Sequence, residues 1–220
     1  MLFIGLSGFS QTRNLENFDE LRVSSGISVT LYPSNENRAE IDMVKGEIDD
    51  LITEVRNGTL HIKYKNNKLF NWGNNNRETK IDLYFKSLHS IDVSSGSTVR
   101  GERELSVDDM DLEVSSGATL VLVLKSGETK VDVSSGSTLR ISGESQDLNV
   151  DVSSGATFDG KEFKARNVDV DVSSGSTAMV WATERLIADA SSGASVRYKG
   201  NPRNKSIDVG KYSGGSVSEF

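Results

Sequence analysis

The chain has 220 residues, enough for one large domain or two small ones, with a hydrophobic content of only 35%, 20 glycines and 2 prolines. Its net charge of −7 and the lack of any basic stripe argue against a nucleic-acid partner and disfavour docking on anionic lipid. With no cysteine and two histidines (His61 and His89), disulfides, thiolate catalysis and His- or Cys-rich metal sites are excluded.

Met1 to Ser10 is an apolar run with small residues interspersed, followed by Gln11 and Thr12. It reads as the back half of a secretory signal peptide cleaved near Ser10–Gln11, although a charged n-region is missing. The alternative is a buried first strand. No later stretch approaches the ~20 apolar residues of a membrane span, so no membrane-spanning segment is expected.

An isolated motif comes next, Leu21-Arg22-Val23-Ser24-Ser25-Gly26-Ile27-Ser28-Val29. Residues 36–90 then break the pattern. Asp49 to Val55 is a short helix or the start of a strand. Asn57-Gly58 signals a hairpin between Glu54-Val55 and the run Leu60 to Tyr64. Lys65 to Arg77 is an Asn-rich loop carrying Phe70 and Trp72, and Lys80 to Phe85 alternates as a strand. The whole segment is expected to cap the N-terminal end of a stack within a single domain of residues 11–220.

From Ile91 onward the repeat is plain. Ile91-Asp92-Val93-Ser94-Ser95-Gly96-Ser97-Thr98-Val99 recurs with its first serine at 94, 115, 134, 153, 173 and 191, in steps of 21, 19, 19, 20 and 18. A degenerate copy begins at Ser213. Leucine-rich repeats share this length but need a frame absent here, and propeller blades run about twice as long. The motif alternates with period two, which excludes helical repeats. The fold expected is all-β: a right-handed parallel β-helix of about six ~20-residue coils.

Stacked coils place equivalent residues about 4.8 Å apart. The columns led by Ile91 and Val93 are apolar and face inward, with Asp92, Glu113, Asp132, Asp151, Asp171 and Asp189 facing out between them. Strict alternation puts Ser95 and Ser97 inward, and Ser94, Gly96 and Thr98 outward. Leu105, Val107, Val123, Ile141, Phe163, Trp181 and Leu186 supply the inward groups of the second half of each coil. Gly101, Gly127, Gly143 and Gly160 mark its turns, and Tyr198 to Phe220 finishes the far end.

Several of these residues resemble the bacterial family described as "putative auto-transporter adhesin, head GIN domain". The resemblance rests on the F-x-x-L-x-V-x-S-G-x-x-V opening from Phe18 to Val29, the N-G-x-L-x-I of Asn57 to Ile62, the serial V-S-S-G copies and the Y-x-G-x-P of Tyr198 to Pro202. It covers roughly residues 18 to 217. It implies a β-helix in an exported protein, secreted, periplasmic or on the cell surface of a bacterium. It supplies no catalytic residues.

The acid column has two readings, a row of calcium sites or a solvated face relieved by Arg100, Lys130 and Arg140, and the second is favoured. The nonapeptide calcium repeat is absent. No one Ser-Ser-Gly copy is marked as a nucleophile, and no G-x-S-x-G elbow exists. The glycine column either supplies left-handed corners or keeps a face flat for a glycan or a second subunit. Asp108, Asp109, Asp111 and Glu113, and Asp169 and Asp171 beside Asn149 and Asp151, are the candidates for a carbohydrate-active enzyme of the lyase or hydrolase kind. An enzyme site should break the repeat, whereas most of these acids obey it. Phe70 and Trp72 either make an exposed contact or pack on the end of the stack. The expectation is therefore a non-enzymatic envelope or surface adhesin, with no catalytic residue, metal or cofactor. Its partners would be a glycan or a surface protein, with a homo-oligomer through the flat Ser/Thr/Gly face as a further option.

Overall fold

The computed structural model describes residues 9–65, 77–210 and 214–220. Residues 1–8, where the sequence reading expects a signal peptide, Phe70 and Trp72, and Ser213 of the degenerate copy lie outside them. The chain is an all-β solenoid of about seven turns. Five long strands carry most of it: β9 (Thr98–Val114), β10 (Thr119–Val133), β11 (Thr138–Val152), β12 (Thr157–Val172) and β13 (Thr177–Ala190). Each pairs in parallel with the next.

The Ser-Ser-Gly segments join these strands. In each, the second serine and the glycine have positive φ, 53° and 70° at Ser95 and Gly96. Ser97 N–H donates to Ser94 O at 3.2 Å, closing a four-residue turn whose two left-handed central residues match type I′. The glycine N–H then donates to the carbonyl of the second serine of the adjacent coil, Gly96 to Ser116 at 3.0 Å and Gly136 to Ser154 at 3.0 Å. The ladder thus continues through the corner. This overturns the inward placement of Ser95: Ser95 and its equivalents are exposed, because the turn loops two residues out before alternation resumes at buried Ser97.

The inward column at Ser97 explains its mixed composition. Ser137 Oγ donates to Val114 O at 2.7 Å or Ser134 O at 2.6 Å, and Ser176 makes the equivalent contacts. Alanine at 118, 156 and 194 fills the same buried position without a polar group to satisfy.

The isolated early copy belongs to the stack. Strands β2 (Glu20–Val23) and β3 (Ser28–Pro33) pair in parallel with β8 (Ser90–Val93) and β9, so Leu21 lies beside Ile91 and Val23 beside Val93. Between β3 and β8 the chain detours. It passes through β4 (Arg38–Lys45), a 3-10 turn at Ile48–Asp50, β5 (Leu51–Arg56), β6 (Thr59–Tyr64) and β7 (Glu78–Phe85). β6 and β7 pair in parallel with β2 and β3, and the Asn57-Gly58 hairpin holds β5 antiparallel to β6. β4 runs antiparallel to β7, and β1 (Phe9–Asn14) antiparallel to β4. Arg13 crosses this end: its guanidinium donates to Leu51 O at 3.0 Å and Thr53 Oγ1 at 2.9 Å.

At the other end β14 (Ser195–Lys199) and β15 (Asn204–Val209) pair with β13, and β16 (Ser216–Glu219) pairs with β14. Leu105, Ile141, Phe163 and Leu186 are buried as expected, but Val107, Val123 and Trp181 are only half-buried. Leu122, Leu124, Val180 and Ala182 take the inward places instead. The register shifts where β9 meets β10 and where β12 meets β13, which displaces the parity read from the motif. Gly101, Gly127, Gly143 and Gly160 lie inside continuous strands, not at turns.

Among these four glycines, Gly143 alone is left-handed, with φ of 115°, and a Cβ there would sit 2.1 Å from Leu124 O. A Cβ at Gly117 (φ 71°) would meet nothing within 4 Å. Gly117→Ala is expected to lower stability by about 1–2 kcal/mol, the strain of a left-handed residue alone. Gly143→Ala adds a backbone clash and is expected to cost well over about 3 kcal/mol or prevent folding. Chemical denaturation of the two variants separates these outcomes.

Candidate binding faces

The outward column between the two apolar columns is longer than the motif suggests. Register alignment carries Asp92, Glu113, Asp132, Asp151, Asp171 and Asp189 on to Asp208 of β15. Below Asp92 the same column continues with Arg22 and then His61. Ile207-Asp208-Val209, Leu21-Arg22-Val23 and Leu60-His61-Ile62 all repeat the frame of Ile91-Asp92-Val93. Ser24-Ser25-Gly26 marks the Leu21 copy in the sequence, whereas no Ser-Ser-Gly follows Leu60-His61-Ile62 or Ile207-Asp208-Val209 to mark the other two.

The electrostatics follow from the stacking. Burial pushes the Asp92 carboxyl above its ordinary range, while Arg22, 3.8 Å away, and His61 pull it back. Glu113 is raised by burial and then by Asp92 and Asp132 on either side. Burial raises Asp151, followed by Asp171, Asp132 and Asp169; burial and then Asp208 and Asp171 raise Asp189. Relief comes from Arg22 at one end. Arg140 instead pairs with buried Asp159 at 3.0 Å and Lys130 with Glu128 at 3.4 Å, while Arg100 stacks between Thr30 and Val121 in another column. A shallow depression of about 420 Å³ runs beside the column, between it and Ser90, Asp111, Lys130 and Asn149.

The enzyme candidates do not converge. Asp109, Asp111 and Glu113 are successive outward residues of β9, spread over about 13 Å, and Asp108 is exposed beside them. Asp169 lies beside Asn149 and Asp171 beside Asp151, as expected from the stack, and both sit in the repeating columns. Among the described residues, no group of three His, Asp or Glu side chains is placed to hold a metal ion.

Across the turn runs a hydroxyl column: Ser28, Thr98, Thr119, Thr138, Thr157, Thr177, Ser195 and Ser216 in register. A larger groove of about 790 Å³ lies at another corner, where Lys125, Glu144, Lys164, Arg166, Glu184 and Arg203 come together from successive coils. These residues fall in the irregular half of the repeat, where the motif gives no frame, and the sequence reading missed them.

Residues 17–202 match the family described as "putative auto-transporter adhesin, head GIN domain". The chain belongs to the head GIN domain family. Solved structures resemble this head GIN chain over almost its whole length. One is described as a "putative adhesin" of Bacteroides fragilis, with a TM-score of 0.87, 16% identity and 97% of each chain covered. A second is a "putative adhesin" of Parabacteroides distasonis, with a TM-score of 0.77, 18% identity and 98% of each chain covered. A third, a "putative lipid binding protein" of the same organism, has a TM-score of 0.72 at 18% identity, again over 98% of each chain. At these identities the likeness is one of fold. No curated protein sequence matches the chain.

The raised carboxyls of the head GIN column set a pH dependence. A carboxyl with a higher pKa folded than unfolded binds its proton more tightly when folded. It favours folding below the ordinary carboxylate pKa, and that contribution is lost as pH rises through the raised value. Asp151→Asn is therefore expected to raise Tm at neutral pH, by the equivalent of about 1 kcal/mol or less for a solvated, screened column. Near about pH 3, where the carboxyl is protonated, the two proteins should melt alike. A gain of equal size at both pH values would show that charge is not its cause.

Proposed function

We propose that this chain is an exported, non-enzymatic binding module of a bacterial envelope or cell surface. The reading is supported by one observation above the rest: the outward residues repeat in register over successive coils. The acid column spans seven carboxylates and the hydroxyl column eight side chains. A catalytic centre concentrates unlike groups at one point, held in a mutual geometry that a repeat does not provide. A periodic face offers the same weak contact many times, and such contacts gain strength through multivalency when the ligand is itself extended or repetitive. Family membership supports the same reading.

Export fits the start of the fold. Cleavage between Ser10 and Gln11 would leave Gln11 to Asn14 paired with Ile41 to Arg38 and keep every contact of Arg13. Mass spectrometry of the protein secreted by a bacterial host is expected to show Gln11 as its first residue. A mature form lacking Arg13 would contradict the assignment.

Binding is tested by applying the purified chain to a glycan array and incubating it with neutral and acidic polysaccharides. Retention without release of new reducing or unsaturated ends is expected. Turnover that Asp111→Asn or Asp169→Asn abolished would overturn the non-enzymatic reading.

A further inference from the structure

The corner groove stands apart from the rest of the surface in charge. The chain carries a net −7, yet the groove is lined by four cations, Lys125, Lys164, Arg166 and Arg203, against two carboxylates, Glu144 and Glu184. Both carboxylates are already engaged. Lys125 Nζ lies 2.7 Å from Glu144, and the Arg166 guanidinium holds both oxygens of Glu184 at 2.9 and 3.0 Å. Lys164 and Arg203 form no direct ion pair among the described residues, although Lys164 stacks beside Glu144, whose charge it shares with Lys125, and lies 5.9 Å from the Trp181 ring centre. The cations of this groove of about 790 Å³ thus outnumber its carboxylates four to two.

Shape and lining narrow the ligand. Five successive strands contribute to the groove, β10, β11, β12, β13 and β15, which gives it a length of about 19 Å along the stack. That is too long for a single small anion and suits a linear chain. Gln146 and Asn204 line it with side-chain amides that are unengaged among the described residues, able to donate to and accept from hydroxyls. Trp181, next to Lys164 in register but outside the lining, carries the Lys199 ammonium 4.3 Å and the Lys164 ammonium 5.9 Å from its ring centre. Amides and sparse positive charge match a polyol with occasional carboxylates. Nucleic acid, with a charge on every phosphate, would be repelled by the acid columns and would find too few free cations here.

We infer that this groove binds an acidic polysaccharide of the uronate type, with Lys164 and Arg203 as its two carboxylate contacts. The inference deepens the binding-module reading above and rests on it. It assigns recognition to the irregular side of each coil and not to the repeated Ser-Ser-Gly edge.

The test is calorimetric titration of the full chain with oligogalacturonate, in a chelating buffer that removes calcium bridging to the acid columns. Dextran serves as the neutral control and phosphatidylglycerol vesicles as an anionic lipid control. Wild type is expected to bind oligogalacturonate and not dextran, with affinity falling as salt rises. Lys164→Gln with Arg203→Gln should weaken binding on the order of tenfold or more, the loss of two charge-assisted contacts. Lys164→Arg should retain it, and Lys130→Gln, on the acid face, should leave it unchanged. All are surface changes, and circular dichroism confirms the fold of each. Equal binding by the double variant overturns the groove assignment while leaving the binding-module reading intact. Binding to the vesicles alone, or to no polysaccharide, also overturns it. Cleavage of the oligogalacturonate would instead defeat the non-enzymatic reading itself.

Discussion

Everything in this molecule depends on a corner that conducts the hydrogen-bond ladder from one strand to the next. Ser-Ser-Gly achieves this because two successive left-handed residues turn the chain while leaving the glycine N–H free to reach the neighbouring coil. Gly26 donates to Ser95, Gly96 to Ser116, Gly117 to Ser135 and so on up the stack. Glycine suffers no penalty at positive φ, whereas a serine there does, on the order of 1–2 kcal/mol. The serine strain recurs in each coil and is outweighed by continuous pairing and by an inward face that carries Val, Leu, Ile or Ala at nearly every level. Because the corners are equivalent, the coils stack in register, and the columns follow from that.

In-register stacking amplifies whatever a column contains. Apolar columns gain: Ile91, Leu112, Val131, Val150, Val170 and Ala188 are all buried, each level covering the next. An open end is where the same arrangement becomes exposed. At the N-terminal side the detour of residues 38–64 turns the last strands antiparallel, and Arg13 spans them with hydrogen bonds to main-chain carbonyls. At the C-terminal side Ile207 and Val209 continue the apolar columns yet remain 44% and 38% exposed. Lys205 occupies the column position above Leu186, and its ammonium lies 5.7 Å from the Tyr198 ring. An inward-directed charge on an edge strand hinders the addition of a further strand.

The parts of this structure legible in the sequence are those written in the repeat. The apolar columns, the acid column, the buried Ser97 position and the Asn57-Gly58 hairpin all follow from period and turn chemistry. The placement of Ser95 did not, because alternation is a property of extended backbone and fails where φ becomes positive. Trp181 and Val123 did not, because each coil absorbs its one- or two-residue length differences in the irregular half, and those differences change parity. The early copy at Ser24 looked isolated for a different reason. A 70-residue gap in sequence is one step of the stack when the intervening chain folds beneath it and returns. For the same reason the corner groove was invisible: its cations are brought together by register, not by spacing along the chain.

The acid column is the feature the fold does not require. Neighbouring outward columns show what a less costly solution looks like. Asn167 donates to Asp147 at 2.8 Å one level away, and Asn149 approaches Glu128 diagonally at 3.4 Å, so an amide relieves a carboxylate at two places. The Asp92 column stacks acid on acid from Asp92 to Asp208, and burial together with like neighbours raises several of its carboxyls. An amide at every second level would keep the geometry and remove the repulsion. The charge therefore acts on what lies outside the coil. Two chains approaching through this face bring like columns together, each with the same spacing, and repulsion grows with the number of levels aligned. Face-to-face stacking on this side is disfavoured for the same reason that the apolar columns cohere. The solenoid repeats attraction inward and, along the Asp92 column, repulsion outward, whereas the mixed-charge corner gathers unlike groups that no other level of the stack duplicates.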